Sequence, residues 1–201
     1  MLRISFILVN LSSLLSQRDC TWQAQIAGLQ ARCLPGWIAT GACGSGRRAA
    51  CKESLLDQKH HTLLKCCSHK YNTDLEHDCT NRGGNYGDER YCDAYSTEEN
   101  PDDIFYRASR ALCTSANRKD CSDGDNRKVN FSLECCQTSD VKVGPRDYCT
   151  WKFDNGEAGT LLECDKDYAL AGVCGSGSDT DCDNKNSYFG IYCCPYEDVR
   201  G

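Results

Sequence analysis

Trp37-Ile38-Ala39-Thr40-Gly41-Ala42-Cys43-Gly44-Ser45-Gly46 returns near the end of the chain as Tyr168-Ala169-Leu170-Ala171-Gly172-Val173-Cys174-Gly175-Ser176-Gly177. In both places a short apolar run ends in glycine and passes through a cysteine into Gly-Ser-Gly, the pattern of a strand entering a tight turn. Upstream, Cys20-Thr21-Trp22 matches Cys149-Thr150-Trp151. Shared residues at matching offsets mark an internal repeat.

The eighteen cysteines extend that repeat to three units. Cys20, Cys33, Cys43 and Cys51 lead to the vicinal pair Cys66 and Cys67. Cys79, Cys92, Cys113 and Cys121 lead to Cys135 and Cys136, and Cys149, Cys164, Cys174 and Cys182 lead to Cys193 and Cys194. Seven residues separate the third and fourth cysteines every time, whereas the gap from second to third is nine, twenty and nine. A fixed short spacing fits a structural clip, and a variable one fits a surface loop. The domain reading is a leader over 1–19 and cysteine-rich units over 20–78, 79–148 and 149–201.

The expected fold class is all-β and disulfide-rich. Before each vicinal pair the apolar residues alternate: Leu64 before Cys66, Phe131 and Leu133 before Cys135, Phe189 and Ile191 before Cys193. A period of two places them on one face of a half-buried strand. Neighbouring cysteines then point to opposite faces and bond elsewhere. Six cysteines allow fifteen pairings. We propose that the invariant spacing closes a hairpin clip, joining Cys43 to Cys51, Cys113 to Cys121 and Cys174 to Cys182. The first and second cysteines would then each take one member of the vicinal pair.

Cysteine at this density implies an oxidising compartment, and units of this size need covalent support for a thin core. Met1-Leu2-Arg3 followed by the mostly apolar run Ile4 to Leu15 reads as a secretory signal peptide, too short to span a bilayer, with cleavage expected between Ser13 and Arg18. No later segment has transmembrane character. The net charge of -6 divides into +1 for the leader and +2, -3 and -6 for the three units, which disfavours nucleic acid. The first unit's basic run, from Arg47 to Lys70, could face anionic headgroups or sulfated glycans, although a solvated face is the preferred reading of such a mixed run.

The segments Cys33 to Gly41 and Cys164 to Gly172, with the strand Tyr188-Phe189-Gly190-Ile191-Tyr192-Cys193, resemble the vitelline membrane outer layer protein I family. The resemblance implies a β-prism, three Greek-key sheets about a pseudo-threefold axis, with one sheet per unit. The vicinal cysteines and denser disulfide framework depart from that family. The chain is also similar to cysteine-rich modules appended to secreted perforin-like toxins.

No catalytic constellation emerges. The even cysteines are used by the framework, Gly-Ser-Gly lacks the order of a nucleophile elbow, and no lysine follows it as a phosphate loop requires. His60, His61, His69 and His77 read as solvated residues, and the acidic runs Asp179 to Asn184 and Asp120, Asp123, Asp125 lack the closing glutamate of a calcium loop. No cofactor or metal is expected. Asn130-Phe131-Ser132 satisfies the glycosylation rule. Trp22, Trp37, Trp151 and Tyr168 recur at equivalent places and are the candidate ligand-binding residues, with core packing the competing explanation.

The resulting expectation is a secreted recognition module, lectin-like and without catalysis, whose partner is a glycan or lipid surface. A structural component of an extracellular or egg coat, with self-association, and a toxin subunit or inhibitor using the insertion from Tyr95 to Arg110 are the other readings. Peptide mapping of the non-reduced protein should recover bridges only within units; a single inter-unit bridge would refute the assignment.

Overall fold

The computed structural model describes residues 19–44, 51, 60–68, 76–96, 104–115, 119–138, 141–175, 180–183 and 185–198. The segment expected to be a signal peptide, Ser45-Gly46 and Ser176-Gly177, most of the basic run of the first unit and the acidic stretch Glu98 to Asp103 lie outside them.

The protein is all-β and disulfide-rich, with no α-helix among the described residues. The first unit forms β1 (Cys20–Gln25), β2 (Gln30–Arg32), β3 (Trp37–Gly44) and β4 (Thr62–Ser68). The second forms β5 (Glu76–Gly84), β6 (Asp88–Tyr91), β7 (Ala94–Ser96), β8 (Ile104–Tyr106), β9 (Ala108–Thr114), β10 (Cys121–Ser122), β11 (Lys128–Val129), β12 (Phe131–Thr138) and β13 (Val141–Val143). The third forms β14 (Thr150–Phe153), β15 (Leu162–Glu163), β16 (Tyr168–Gly175) and β17 (Phe189–Asp198).

Each unit builds the same antiparallel triplet around the strand that carries its vicinal cysteines: β1-β4-β3, β5-β12-β9 and β14-β17-β16. The alternation expected before those cysteines holds, with Leu64, Phe131, Leu133, Phe189 and Ile191 all buried in one shared core. A central strand is covered on both sides, so Leu63 is also fully buried, in a satellite cluster with Cys43 and Cys51.

All eighteen cysteines are paired, and every bridge closes within its own unit. Third joins fourth and the first two cysteines take the vicinal pair, as the spacing argument proposed; the order it left open is first to sixth and second to fifth. The Cα separations repeat almost identically: 4.0, 4.0 and 4.1 Å for the first kind, 5.5 Å three times for the second. The clips measure 6.0, 5.9 and 6.0 Å. In the chain-entropy account a long closure such as Cys20–Cys67 stabilises by about 4 kcal/mol, and an eight-residue clip by about 2.6 kcal/mol.

What holds the units to one another is not covalent. Each lends a short strand to the next sheet: β2 of the first unit pairs with β9, β6 of the second pairs with β16, and β15 of the third pairs with β3. The exchange closes a ring, first to second to third to first. It is anchored at a β-bulge present in all three sheets, where Thr40, Arg110 and Ala171 are the extra residues. A bulge turns one carbonyl out of its ladder, and a buried carbonyl needs a donor. The second cysteine of the neighbouring unit supplies it: Cys33 donates its N–H to Arg110 O at 2.9 Å, Cys92 to Ala171 O at 2.8 Å, and Cys164 to Thr40 O at 2.8 Å.

Five residues before each of those cysteines stands a glycine with positive φ: Gly28 at 82°, Gly87 at 76° and Gly159 at 82°. The chain turns there to enter the donated strand, and the left-handed region favours glycine. The space is also closed to a side chain, because a Cβ on Gly28 or Gly87 would lie 2.7 or 2.9 Å from Asp120 or Asp181 of the receiving unit.

Around the core, size complementarity links the units in the same direction. The Phe189 ring covers Gly44 and the Phe131 ring covers Gly175, where an added Cβ would lie 2.6 and 2.8 Å from ring atoms. At the third junction Thr62 replaces the phenylalanine and Thr114 replaces the glycine, their hydroxyls 2.7 Å apart. A phenylalanine faces a glycine, and a threonine faces a threonine. This is why the middle unit departs from the glycine turn after its third cysteine.

The second unit's insertion is narrower than the Tyr95 to Arg110 boundaries expected from the sequence. Ala108, Ser109 and Arg110 are buried in β9, because the bulge and core of the second sheet need them. The described remainder, β7 and β8, is not a free loop: β8 pairs with β13, which pairs with the extended end of β17.

Thr62→Phe should destabilise the protein by about 1–3 kcal/mol through overpacking against Thr114. Thr62→Phe with Thr114→Gly should recover part of that loss, with a coupling of about 0.5–3 kcal/mol in denaturant titrations. Additive effects would contradict the pairing.

Candidate functional site

The outer face of each sheet carries an equivalent row of four residues, running from the edge strand across the central strand and past the bulge to the donated strand. In the first sheet the row is Trp22, Lys65, Gly41 and Glu163; in the second it is Asn81, Glu134, Ala111 and Arg32. Both are closed by an ion pair over the small residue. Lys65 Nζ lies 2.5 Å from Glu163 Oε2, and Arg32 makes a two-pronged contact with Glu134. The charges are reversed between the two sheets, yet the bridge spans the same gap.

In the third sheet the row is Trp151, Tyr192, Gly172 and Tyr91. No charge remains, and rings stand on both sides of the glycine. A Cβ on Gly172 would lie 2.9 Å from Arg90 O of the donated strand and 3.1 Å from Tyr192 Cβ and Tyr91 Cδ1, so the donated backbone and the two tyrosines leave no room for a side chain there. Tyr91 and Tyr192 meet edge to face with centroids 5.1 Å apart and planes at 87°. Trp151 lies 5.1 Å from Tyr192 and 5.7 Å from Tyr91, and Phe153 stacks on it at 5.4 Å and 14°. Such contacts add about 0.5–1.5 kcal/mol per pair beyond area burial. Tyr106 of β8, 5.9 Å from Tyr192, walls the cluster from the insertion side.

The cluster is graded in exposure. Tyr192 and Tyr106 are buried, whereas Tyr91, Trp151 and Phe153 are half-exposed and form the accessible platform. At its edge the Tyr91 hydroxyl donates to Glu89 Oε2 at 2.6 Å. Burial, then the hydrogen bond and negative charge of Glu89, push the Tyr91 phenol up to about 12. Burial and Tyr192 push Tyr106 up to about 12, with Arg146 opposing. Both therefore stay neutral donors at physiological pH. Trp151 and Phe153 lie nearly parallel and Tyr91 stands at 67° to Trp151, so the cluster offers ring faces and edges beside a carboxylate and a hydroxyl, groups that can contact the apolar face of a sugar and its hydroxyls.

The four aromatics singled out from the sequence do not converge. Trp37 and Tyr168 open β3 and β16 and pack, partly buried, on the central core. Trp22 lies against the satellite cluster of the first sheet, with Lys65 Nζ 6.0 Å from its ring centroid. Trp151 packs on the same core, and among the described residues it is the one of the four that also joins other aromatics. Its partners Tyr91, Tyr192 and Phe153, and Tyr106 beyond them, are not among the residues singled out from the sequence. A signal existed, since the residue before each vicinal pair is Lys65, Glu134 and Tyr192, and only one of these is aromatic.

Asn130 is 4% exposed and its neighbours Phe131 and Ser132 are 1% exposed, which weighs against a glycan on that amide in the folded protein. One cluster with metal-ligand spacing occurs among the described residues, Cys79, Glu134 and Cys136. Cys79 and Cys136 are bonded to each other, so neither offers a thiolate. Asp123 is a turn residue whose Oδ1 accepts the N–H groups of Asp125 and Arg127 at 3.0 and 2.8 Å. Asp154, next to the platform, is buried; its Oδ1 accepts the N–H groups of Tyr188 and Gly156 at 3.0 and 3.2 Å. Burial raises its carboxyl above the ordinary range despite those bonds.

No family model, curated protein or solved structure matches the chain.

Two titrations follow. A raised phenol favours the neutral form in the folded state, so the contribution of Tyr91 and Tyr106 is complete below pH 10 and is lost as pH rises toward 12. Ultraviolet difference spectra should show phenols that ionise late in the native protein, and Tyr91→Phe should remove one; ionisation of all tyrosines near pH 10 would contradict their burial. The raised carboxyl of Asp154 makes the fold less stable as pH rises through its titration. Asp154→Asn keeps an acceptor for the two N–H groups and should flatten that limb of the stability profile, and an unchanged slope would refute the assignment.

Proposed function

We propose that this is a secreted, lectin-like recognition protein without catalytic activity, which binds glycans through the aromatic platform of Tyr91, Trp151 and Phe153. One observation carries the reading. The same row is sealed by an ion pair in two sheets and left aromatic and half-open in the third. A packing role alone would be served by the ion pair that the other two units use. Divergence at one equivalent site in three is the mark of a site grafted onto a repeated scaffold.

The surroundings support this use. Glu89 and the Tyr91 hydroxyl stand where ring hydroxyls would reach them, and Tyr106 gives the second unit's insertion a purpose as one wall of the platform. Nine bridges in a chain of 201 residues fit an extracellular location, and among the described residues no helix is long and apolar enough to cross a membrane. The ring of exchanged strands around one core supports a β-prism like that of the vitelline membrane outer layer protein I family.

A second reading, a structural component of an extracellular coat, is favoured by the interlocked sheets, since covalent closure within units and strand exchange between them make a durable particle. It predicts concentration-dependent assembly in sedimentation velocity experiments, with no response to sugars.

The deciding experiment is a glycan array read with the refolded full chain beside liposome sedimentation. Array binding should weaken by about tenfold or more in Trp151→Ala, equivalent to at least about 1.4 kcal/mol, while Trp22→Ala binds as the parent does. Binding to liposomes alone, or array binding indifferent to Trp151, would refute the glycan reading.

A further inference from the structure

A second recess lies away from the aromatic platform, at the corner where β5 of the second sheet turns into β6 of the third. It is an open cleft of about 570 Å³, inside the usual range for ligand sites. Its walls are Thr80, Asn81, Arg82 and Gly83 of β5, Arg90 of β6, and the turn Asp123-Gly124-Asp125 that follows the second unit's clip. The turn is fastened to the strand, because Gly124 donates its N–H to Asn81 O at 3.3 Å.

The chemistry of these walls narrows the occupant. The lining residues are mostly polar or charged, with Cys79 and the stems of the arginines adding some apolar surface, so a large hydrophobic ligand would find little to bury against. Among the lining residues Arg82 and Arg90 stand against Asp123 and Asp125, and each arginine is already paired with a carboxylate beyond them, Asp93 or Asp88, so the cleft offers no uncompensated cation to an anionic ligand. The side chains are also held in place. Arg90 donates to Gly83 O at 2.8 Å and to Asp88 Oδ2 at 2.7 Å, and Arg82 pairs with Asp93, which also accepts from Thr80 Oγ1 at 2.8 Å. Two backbone N–H groups fix Asp123 through Oδ1. With the guanidinium groups engaged, the groups that would meet two adjacent hydroxyls of a sugar ring are the Asn81 amide, whose Oδ1 takes a long 3.4 Å contact from Gln30, and the carboxylates of Asp123 and Asp125, the latter paired with the exposed Arg127 at 3.2 Å.

We propose that this cleft is a second saccharide site, specific for neutral sugars through vicinal hydroxyls, on a sheet different from the one bearing the platform. The inference rests on the glycan-binding reading for its ligand class but uses none of the platform residues. Two unlike sites on one rigid particle would let a single chain bridge two glycans, raising the avidity of weak contacts.

The test is a nitrogen–proton correlation titration of the full chain with methyl glycosides of mannose, glucose and galactose, with methyl glucuronide and calcium chloride as separate arms. With at least one neutral glycoside the amide signals of Asn81, Gly83, Gly124 and Asp125 should move and saturate in the millimolar range. Asn81→Ala and Asp125→Ala change partly or wholly exposed residues, and each should weaken that response by about tenfold. Persistence of the shifts in Trp151→Ala would support the cleft as an independent site. Movement with glucuronide alone, or with calcium alone, would overturn it in favour of an anion or cation site. Saturable quenching of tryptophan fluorescence by a glycoside that leaves the cleft signals still would overturn the second site and leave the platform standing.

Discussion

One hydrogen bond, made three times, organises the molecule: the N–H of the second cysteine in each unit donates to the bulge carbonyl of the next. The bulge exposes an acceptor that its own sheet cannot satisfy, and the cysteine brings a donor on a strand that its own sheet cannot hold. Each solves the other's problem only when three units are present, since the exchange runs in one direction and must close. The second cysteine is also fixed to its own unit through the vicinal pair, so the donated strand is covalently tethered at the point where it crosses over. Disulfides thus set the geometry of each unit, and the exchanged strands set the geometry of the whole.

The shared core follows from this closure. None of the triplets owns enough apolar surface to fold alone as an ordinary domain, but Ile38 and Leu64 of the first, Leu112 and Phe131 of the second, and Leu170 and Ile191 of the third meet in one cluster. At its margin the units are matched in pairs by size. The Phe189–Gly44, Phe131–Gly175 and Thr62–Thr114 junctions specify which unit neighbours which, since a large residue facing threonine would be overpacked and a small one facing glycine would leave a void.

With the scaffold secured internally, the outer faces are released to diverge. Two of them close the gap beside the bulge with an ion pair, one in each polarity. Surface pairs contribute little, about 0–1 kcal/mol, which fits Lys65–Glu163, whereas Arg32–Glu134 holds a buried carboxylate and is the costlier one to break. The third face lost the pair and gained rings from two units. The second unit's insertion adds Tyr106 there, and its β5–β6 corner forms the polar cleft. The middle unit, the most drifted of the three in sequence, therefore contributes to both candidate sites.

From the sequence alone came the all-β class, the three units, the strands before the vicinal cysteines, the three clips and the engagement of each vicinal pair by the first two cysteines; which of those two takes which member was decided by the fold. The former are local or nearly local properties: alternation in a strand, the length of a clip, and the impossibility of bonding neighbours that face opposite ways. Which aromatics act together was decided elsewhere. Trp151, Tyr192, Gly172 and Tyr91 are aligned by two strand pairings within the third unit and one donated from the second, and Tyr91 stands far from the others in the chain. No period or motif encodes a register between units. That register comes from bulge carbonyls, positive-φ glycines and ring-to-glycine contacts, which exist only once the ring of sheets has closed.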